Sequence, residues 1–241
     1  MRIAPGLHRI GAGLVNSYLL EESGEVTIVD AGAPGYWNDL PGELAAMNRS
    51  FADVRALVLT HAHIDHVGFA ERLRKERGVP ISVHELDARI ARGEAKPQNQ
   101  KILGVSPLPL IRFILFALSK GMLRATPILE VTTFRDGATL DVPGAPRVIH
   151  VPGHSEGSAA LYVSTRRALF VGDALATLNT ISGRTGPQLA PFGSDLPRAR
   201  ESLRRLEQVE ADLVLPGHGQ PWMRGIAEAI HLIAREPAAV R

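Results

Sequence analysis

The chain reads as a single mixed α+β domain spanning residues 1–241, and three features carry that reading. Short apolar runs of strand length recur along the sequence and are separated by segments of helical composition. The runs at 56–60, 148–151, 168–171 and 213–215 lead into a histidine or aspartate, the last three through a glycine turn. At 241 residues and 45% hydrophobic, the chain can bury one large core or two tightly packed halves.

The elements follow in order. Residues 15–20 and 26–29 read as strands, with Glu22-Ser23-Gly24 as the turn between them. Residues 40–49 have helical composition, with Pro41 near the start where a missing N–H costs nothing. Residues 56–60, Ala-Leu-Val-Leu-Thr, read as a buried strand, and residues 69–77 after Gly68 as a helix. Residues 81–83 follow as a strand and residues 85–92 as a helix. In the second half, residues 148–151, 168–171 and 213–215 are strand-like. Residues 196–209 place Leu196, Ala199, Leu203, Leu206 and Val209 on one helical face. The pattern is two strand-rich halves, an internal pseudo-duplication without a literal repeat.

An insertion at about residues 93–127 separates the halves. Its apolar run, residues 110–118 with Arg112 inside, is too short to span a bilayer. Three roles are open to it. It can be a helix docked on the core, a lid whose Phe113 and Phe116 line a substrate pocket, or a homodimer contact or peripheral membrane patch.

The chemistry concentrates in His61-Ala62-His63-Ile64-Asp65-His66, directly after the strand at 56–60. Open α/β sheets place ligands at the carboxyl ends of strands. Imidazoles and a carboxylate are the usual donors for zinc and similar ions. Other strand ends supply more: Pro152-Gly153-His154, Gly172-Asp173 and Pro216-Gly217-His218. Glycine at such a turn lets the backbone come close to an ion. A metal centre is the expectation. His8, His84, His150 and His231 lack this setting and read as structural, with His84 suited to capping a helix.

The pattern H-x-H-x-D-H at His61, His63, Asp65 and His66, followed by His154, Asp173 and His218, resembles the metallo-β-lactamase superfamily over nearly the whole chain. The resemblance implies a four-layer αββα sandwich with metals at the edge between two sheets. It implies that His61, His63 and His154 hold one ion, that Asp65, His66 and His218 hold a second, and that Asp173 bridges them. It also implies that Asp30, at the end of an early strand, orients the site from behind the ligands. The activity implied is hydrolysis of a small ester, thioester, lactone or amide, β-lactams included, by a metal-bridging hydroxide that Asp65 helps to place. The rival within the superfamily is a persulfide dioxygenase-like enzyme with one iron on the three-histidine half. Asp173 is followed by Ala174 and Leu175, not by the tyrosine often found there in lactonases of the family.

Composition adds limits. With no cysteine, the site is all nitrogen and oxygen, which suits two zinc ions best and leaves manganese or iron acceptable. A formal net charge of +2 gives no sign of a nucleic-acid partner, so the expected partner is a small-molecule substrate. The opening Met1-Arg2-Ile3-Ala4-Pro5-Gly6 lacks a long apolar core, and the expected location is the cytoplasm, with no integral membrane segment.

Overall fold

Strands form where the sequence supplies short β-branched and aliphatic runs, and the computed structural model, which describes residues 1–98, 101–102, 104–124 and 126–235, contains fifteen of them. In chain order the first eight are β1 (Arg2–Ala4), β2 (Leu7–Ile10), β3 (Ser17–Glu22), β4 (Glu25–Val29), β5 (Val54–Val58), β6 (Ile81–His84), β7 (Lys101–Ile102) and β8 (Thr132–Phe134). The rest are β9 (Arg147–His150), β10 (Ala159–Val163), β11 (Ala168–Gly172), β12 (Ala176–Leu178), β13 (Thr185–Gln188), β14 (Phe192–Gly193) and β15 (Leu213–Pro216). The α-helices are α1 (Leu40–Ala45), α2 (Ala70–Arg77), α3 (Ala88–Ala91), α4 (Pro107–Ser119), α5 (Leu196–Ser202) and α6 (Ile226–Ala234).

A seven-stranded sheet has the order β1-β2-β3-β4-β5-β6-β8, and a four-stranded sheet the order β15-β11-β10-β9. The expected pseudo-duplication shows in the pairing. From β2 to β5 the steps are antiparallel, antiparallel, parallel, and from β9 through β10 and β11 to β15 they repeat in that order. The repeat places one parallel pair in each sheet, β4–β5 and β11–β15, with carboxyl ends side by side, and the large sheet continues in parallel through β6 to β8.

The period-two alternation of these strands builds three apolar layers. Tyr18, Leu20, Val29 and Val58 of the large sheet meet Val148, Leu161, Phe170 and Leu215 of the small one in a core between the sheets. The opposite face of the large sheet, with Leu19, Ile28 and Leu57, packs on Leu40 and Leu44 of α1 and Leu73 of α2. The opposite face of the small sheet, with Ile149, Leu169 and Val214, packs on Ala199 of α5 and Ile226, Ile230 and Ile233 of α6. Helix, sheet, sheet, helix is the predicted four-layer sandwich.

Local departures from the sequence reading have local causes. The segment 40–49 leaves helical geometry after Ala45, and Asn48 turns to a positive φ of 56°. The segment 85–92 splits into a 3-10 turn, Glu85–Asp87, and the short α3, because the His84 ring accepts the Leu86 N–H and starts a tight turn. The segment 196–209 runs as α5 and then a 3-10 turn, Leu203–Leu206, and still buries Ala199, Leu203, Leu206 and Val209 of its predicted face, with Leu196 half-buried.

The insertion forms α4, which starts with Pro107 at the position proline tolerates. Phe113, Phe116 and Ala117 rest on the core, so the helix is docked, yet none of its residues is fully buried. Among the described residues, no helix is long and apolar enough to cross a membrane.

Candidate metal centre

The site assembles where the two parallel strand pairs end. Asp30 follows β4 with a positive φ of 60°, a conformation that aspartate tolerates better than most residues. Its carbonyl accepts a hydrogen bond from Ser17 Oγ at 2.6 Å. Its carboxylate accepts the Thr60 N–H at 2.7 Å and the Thr60 hydroxyl at 2.8 Å, and it faces His66 Nδ1 at 2.9 Å. Asp30 thus contacts both the Thr60 end of the β5 loop and the outer nitrogen of His66, a position from which a carboxylate can orient a ring.

Three ring nitrogens converge in one half of the site. His154 Nε2 lies 3.2 Å from His61 Nε2 and 2.8 Å from His63 Nδ1. His154 Nδ1 is 2.6 Å from the Phe192 carbonyl, so its proton is held there and the Nε2 lone pair faces the other two rings. Three lone pairs aimed at one point repel one another unless a proton or a cation lies between them.

The other half is richer in carboxylate. His218 Nε2 sits 3.0 Å from Asp173 Oδ2 and 3.4 Å from Asp65 Oδ2, while its Nδ1 donates to the Leu14 carbonyl. Asp173 also reaches His154 Nε2 at 3.4 Å and His66 Nε2 at 3.5 Å. It stands between the halves, where the resemblance implies a bridge. Asp173 Oδ1 and His66 Nε2 are buried without a hydrogen-bond partner, which a native interior rarely leaves in place without a ligand. Donor atoms of His61, His63 and His154, of His61, His66 and Asp173, and of Asp65, His66 and His218 each fall within 4.8 Å of one another. The buried orphans and the all-N,O donor set fit divalent cations.

The protonation pattern divides along the same line. Burial pushes His154 down to about 3, lowers His63, and holds His61 well below the ordinary histidine value, so all three rings are neutral donors. Burial also opposes charge on His66 and His218, but the surrounding carboxylates outweigh it. Asp30, Asp173 and Asp65 push His66 up to about 10, and Asp173 raises His218. Burial would raise Asp173, yet His218, His66 and His154 hold it well below the usual carboxylate range. The carboxylate-rich half is a strong well for positive charge, whether proton or metal.

Residues without metal-ligand character complete the frame. Asp87 is fully buried and accepts the Ala62 N–H at 2.9 Å, the Ser155 hydroxyl at 2.8 Å and the Gly157 N–H at 2.8 Å. It ties the His61–His66 loop to the loop bearing His154. Sequence reasoning missed it, because Asp87 sits in a charged, helix-like stretch where spacing does not separate a buried carboxylate from a solvated one. Glycine is required at 217, where a Cβ would lie 2.2 Å from Asp173 Oδ1 and 2.6 Å from His66 Cε1. Asn16 donates to the Pro216 and Gly219 carbonyls, and Tyr18 to that of Pro216, shaping the turn that presents His218.

All seven predicted ligands and Asp30 meet in this one place. Phe113 and Phe116 lie outside the cluster, on α4, with Phe116 edge-on to Tyr36 at 6.3 Å between centroids. The Tyr36 hydroxyl donates to the Val15 carbonyl, next to the Leu14 that holds His218. His8 pairs with Glu43 at 3.0 Å, and His84 stacks on His150 at 4.3 Å, both structural settings.

The chain belongs to the metallo-beta-lactamase superfamily, whose family model matches residues 10–218, and it is a metal-dependent hydrolase of that class. It is 26% identical to the "Probable metallo-hydrolase YflN" of Bacillus subtilis (strain 168), over 90% of this chain and 85% of that protein. Among solved structures, it resembles the metallo-beta-lactamase family protein TTHA1429 from Thermus thermophilus, with a TM-score of 0.69 and 29% identity, covering 97% of this chain and 80% of that one. It also resembles TTHA1623, solved in a di-iron-bound form, with a TM-score of 0.61 and 27% identity, covering 92% and 96% of the two chains.

Proposed function

We propose that this chain is a binuclear hydrolase, with zinc the favoured metal, that cleaves a small ester, thioester, lactone or amide, β-lactams included. The observation that carries the reading is the pair of donor groups flanking Asp173, with Asp173 Oδ1 and His66 Nε2 buried without a hydrogen bond, 3.5 Å from each other. His61, His63 and His154 would hold one ion, Asp65, His66 and His218 the other, and Asp173 would contact both. Divalent cations there lower the pKa of water toward neutrality and stabilise negative charge on an attacked oxygen.

The chain's own residues do the rest. Asp65 and His63 are the ligand candidates only partly buried, so substrate approaches from their side, beside the exposed Ile64. The Asp65 carboxylate orients the attacking water and accepts its proton. Asp30 keeps the His66 ring aimed inward. No side-chain nucleophile is needed. Phe113 and Phe116 serve as an apolar pocket wall on this reading, linked to the site through Tyr36. The core shared by both sheets supports one functional unit over residues 1–241. The absence of cysteine and the small net charge favour a cytoplasmic enzyme with a small-molecule substrate.

A mononuclear iron dioxygenase-like activity has less support, because Asp65, His66 and His218 form a second complete group. The di-iron form of TTHA1623 keeps iron open as the metal of that relative. Elemental analysis of the zinc-loaded protein, with a turnover screen over lactones, thioesters, aryl esters and β-lactams, tests the proposal. About two ions per chain and turnover of one class are expected. A single tightly bound iron with no hydrolytic turnover would overturn it.

A further inference from the structure

We infer that α4 and its flanking turns form a docking surface for the headgroup layer of an anionic lipid bilayer. The starting observation is an apolar helix face that none of the described residues covers. With Phe113, Phe116 and Ala117 turned to the core, the opposite side presents Leu108, Ile111, Ile114, Leu115 and Leu118 to solvent, at 77%, 53%, 47%, 61% and 57% exposure. The spacing 108, 111, 115, 118 is one stripe along the helix. Single exposed leucines are ordinary, whereas five on one face mark an interaction surface.

Charge selects the occupant. Between residues 95 and 129 the sequence has Lys96, Lys101, Arg112, Lys120 and Arg124 and no aspartate or glutamate. Arg112 lies one helical turn from Leu108 and from Leu115, at the edge of the stripe. Lys120 is paired with Asp39 at 3.0 Å, but among the described residues Arg112 and Arg124 have no ion-pair partner. The acidic residues that bracket the segment are already engaged, Glu94 by Arg92 at 2.6 Å and Glu130 by Arg74 at 3.0 Å.

An apolar stripe with a basic rim matches the boundary between acyl chains and anionic headgroups, where leucines bury shallowly and arginines reach the phosphates. A second copy on the same face would bring Arg112 and Arg124 against a surface of their own sign, with no carboxylate in the segment to meet them. The helix lies on the bilayer and does not cross it, since its thirteen residues extend about 20 Å against about 30 Å of hydrocarbon. The surface is tied to the metal centre: Ser106 donates to the Ile181 carbonyl, and β7 pairs with β14, whose Phe192 carbonyl holds His154.

Vesicle sedimentation of the whole chain tests this, using phosphatidylcholine alone or phosphatidylcholine and phosphatidylglycerol in equal parts. The chain is expected to pellet with the anionic vesicles at low salt, to stay largely in solution with the neutral ones, and to be released by added salt. Arg112→Ala and Arg124→Ala should each lower the partition coefficient about fivefold. Leu115→Glu should abolish pelleting. Because these side chains are exposed, melting temperature and metal content should match the parent in all three variants. Failure to pellet with anionic vesicles, equal pelleting with neutral ones, or variants that bind like the parent would overturn the proposal. So would a dimer that Leu115→Glu splits while vesicles remain bare, which assigns the face to a second copy.

Discussion

At the scale of single residues, the candidate ligands are held by carboxylates behind them. Asp30 holds His66 and Thr60 with one carboxylate. Asp30→Ala frees the His66 ring to rotate and removes charge from behind it, so metal affinity should fall about 10–100-fold, read by competition with a chelator. Asp87 works between loops instead. In Asp87→Ala the buried Ala62 and Gly157 N–H groups and the Ser155 hydroxyl lose their acceptor. At about 1–3 kcal/mol for each orphaned donor, unfolding free energy should drop by at least about 3 kcal/mol in a denaturant titration. Asp87→Asn retains one acceptor oxygen and should lose less. An unchanged midpoint in the alanine variant would show that the two loops hold without the staple.

At the scale of elements, the site depends on how closely the strand-end turns approach one another. The β15 turn passes so near the β11 turn that Gly217 has no room for a methyl group. Gly217→Ala should push Asp173 away from His66 and His218, reducing metal content by about an order of magnitude or more while far-ultraviolet circular dichroism stays native. Normal metal content in that variant would mean that the turn yields more easily than its packing suggests. α4 presents a different balance. Phe113→Ala and Phe116→Ala remove half-buried rings, so a loss of about 1–3 kcal/mol is expected. If the rings also line the pocket, KM for apolar substrates rises with metal content unchanged. A fall in melting temperature with KM constant would reduce them to packing.

At the scale of the whole molecule, the donor groups join the two sheets. The loop after β5 supplies His61, His63, Asp65 and His66 from the large sheet, while His154, Asp173 and His218 come from the small sheet. Each proposed ion therefore takes ligands from both, and bound metal favours the folded sandwich by mass action. At about a hundredfold excess of metal over Kd this is worth about 2.7 kcal/mol, or a melting shift of about 5–10 °C for a chain of this size. Scanning calorimetry with and without a chelator reads it directly, and coincident curves would contradict metal binding across the two sheets.

Much of this molecule was legible in one dimension, because strand ends are marked by local chemistry. An apolar run that ends in histidine or aspartate, through glycine at Gly153, Gly172 and Gly217, needs no partner to be recognised, which is why His61, His63, Asp65, His66, His154, Asp173 and His218 could be named together, while Asp30 came with the family resemblance. The period-two alternation that sorts Tyr18 and Leu20 from Leu19 is likewise written in the chain. Only tertiary structure decided which neighbours those patterns meet. Asp87 is a solvated helix carboxylate by sequence and the joint between two ligand loops by contact. The residues Phe113 and Leu115 are equally apolar in the sequence, yet one rests on the core and the other faces out. The physical reason is range: hydrogen-bond satisfaction and burial depend on groups dozens of residues away, and spacing along the chain carries information only about the nearest turn or strand.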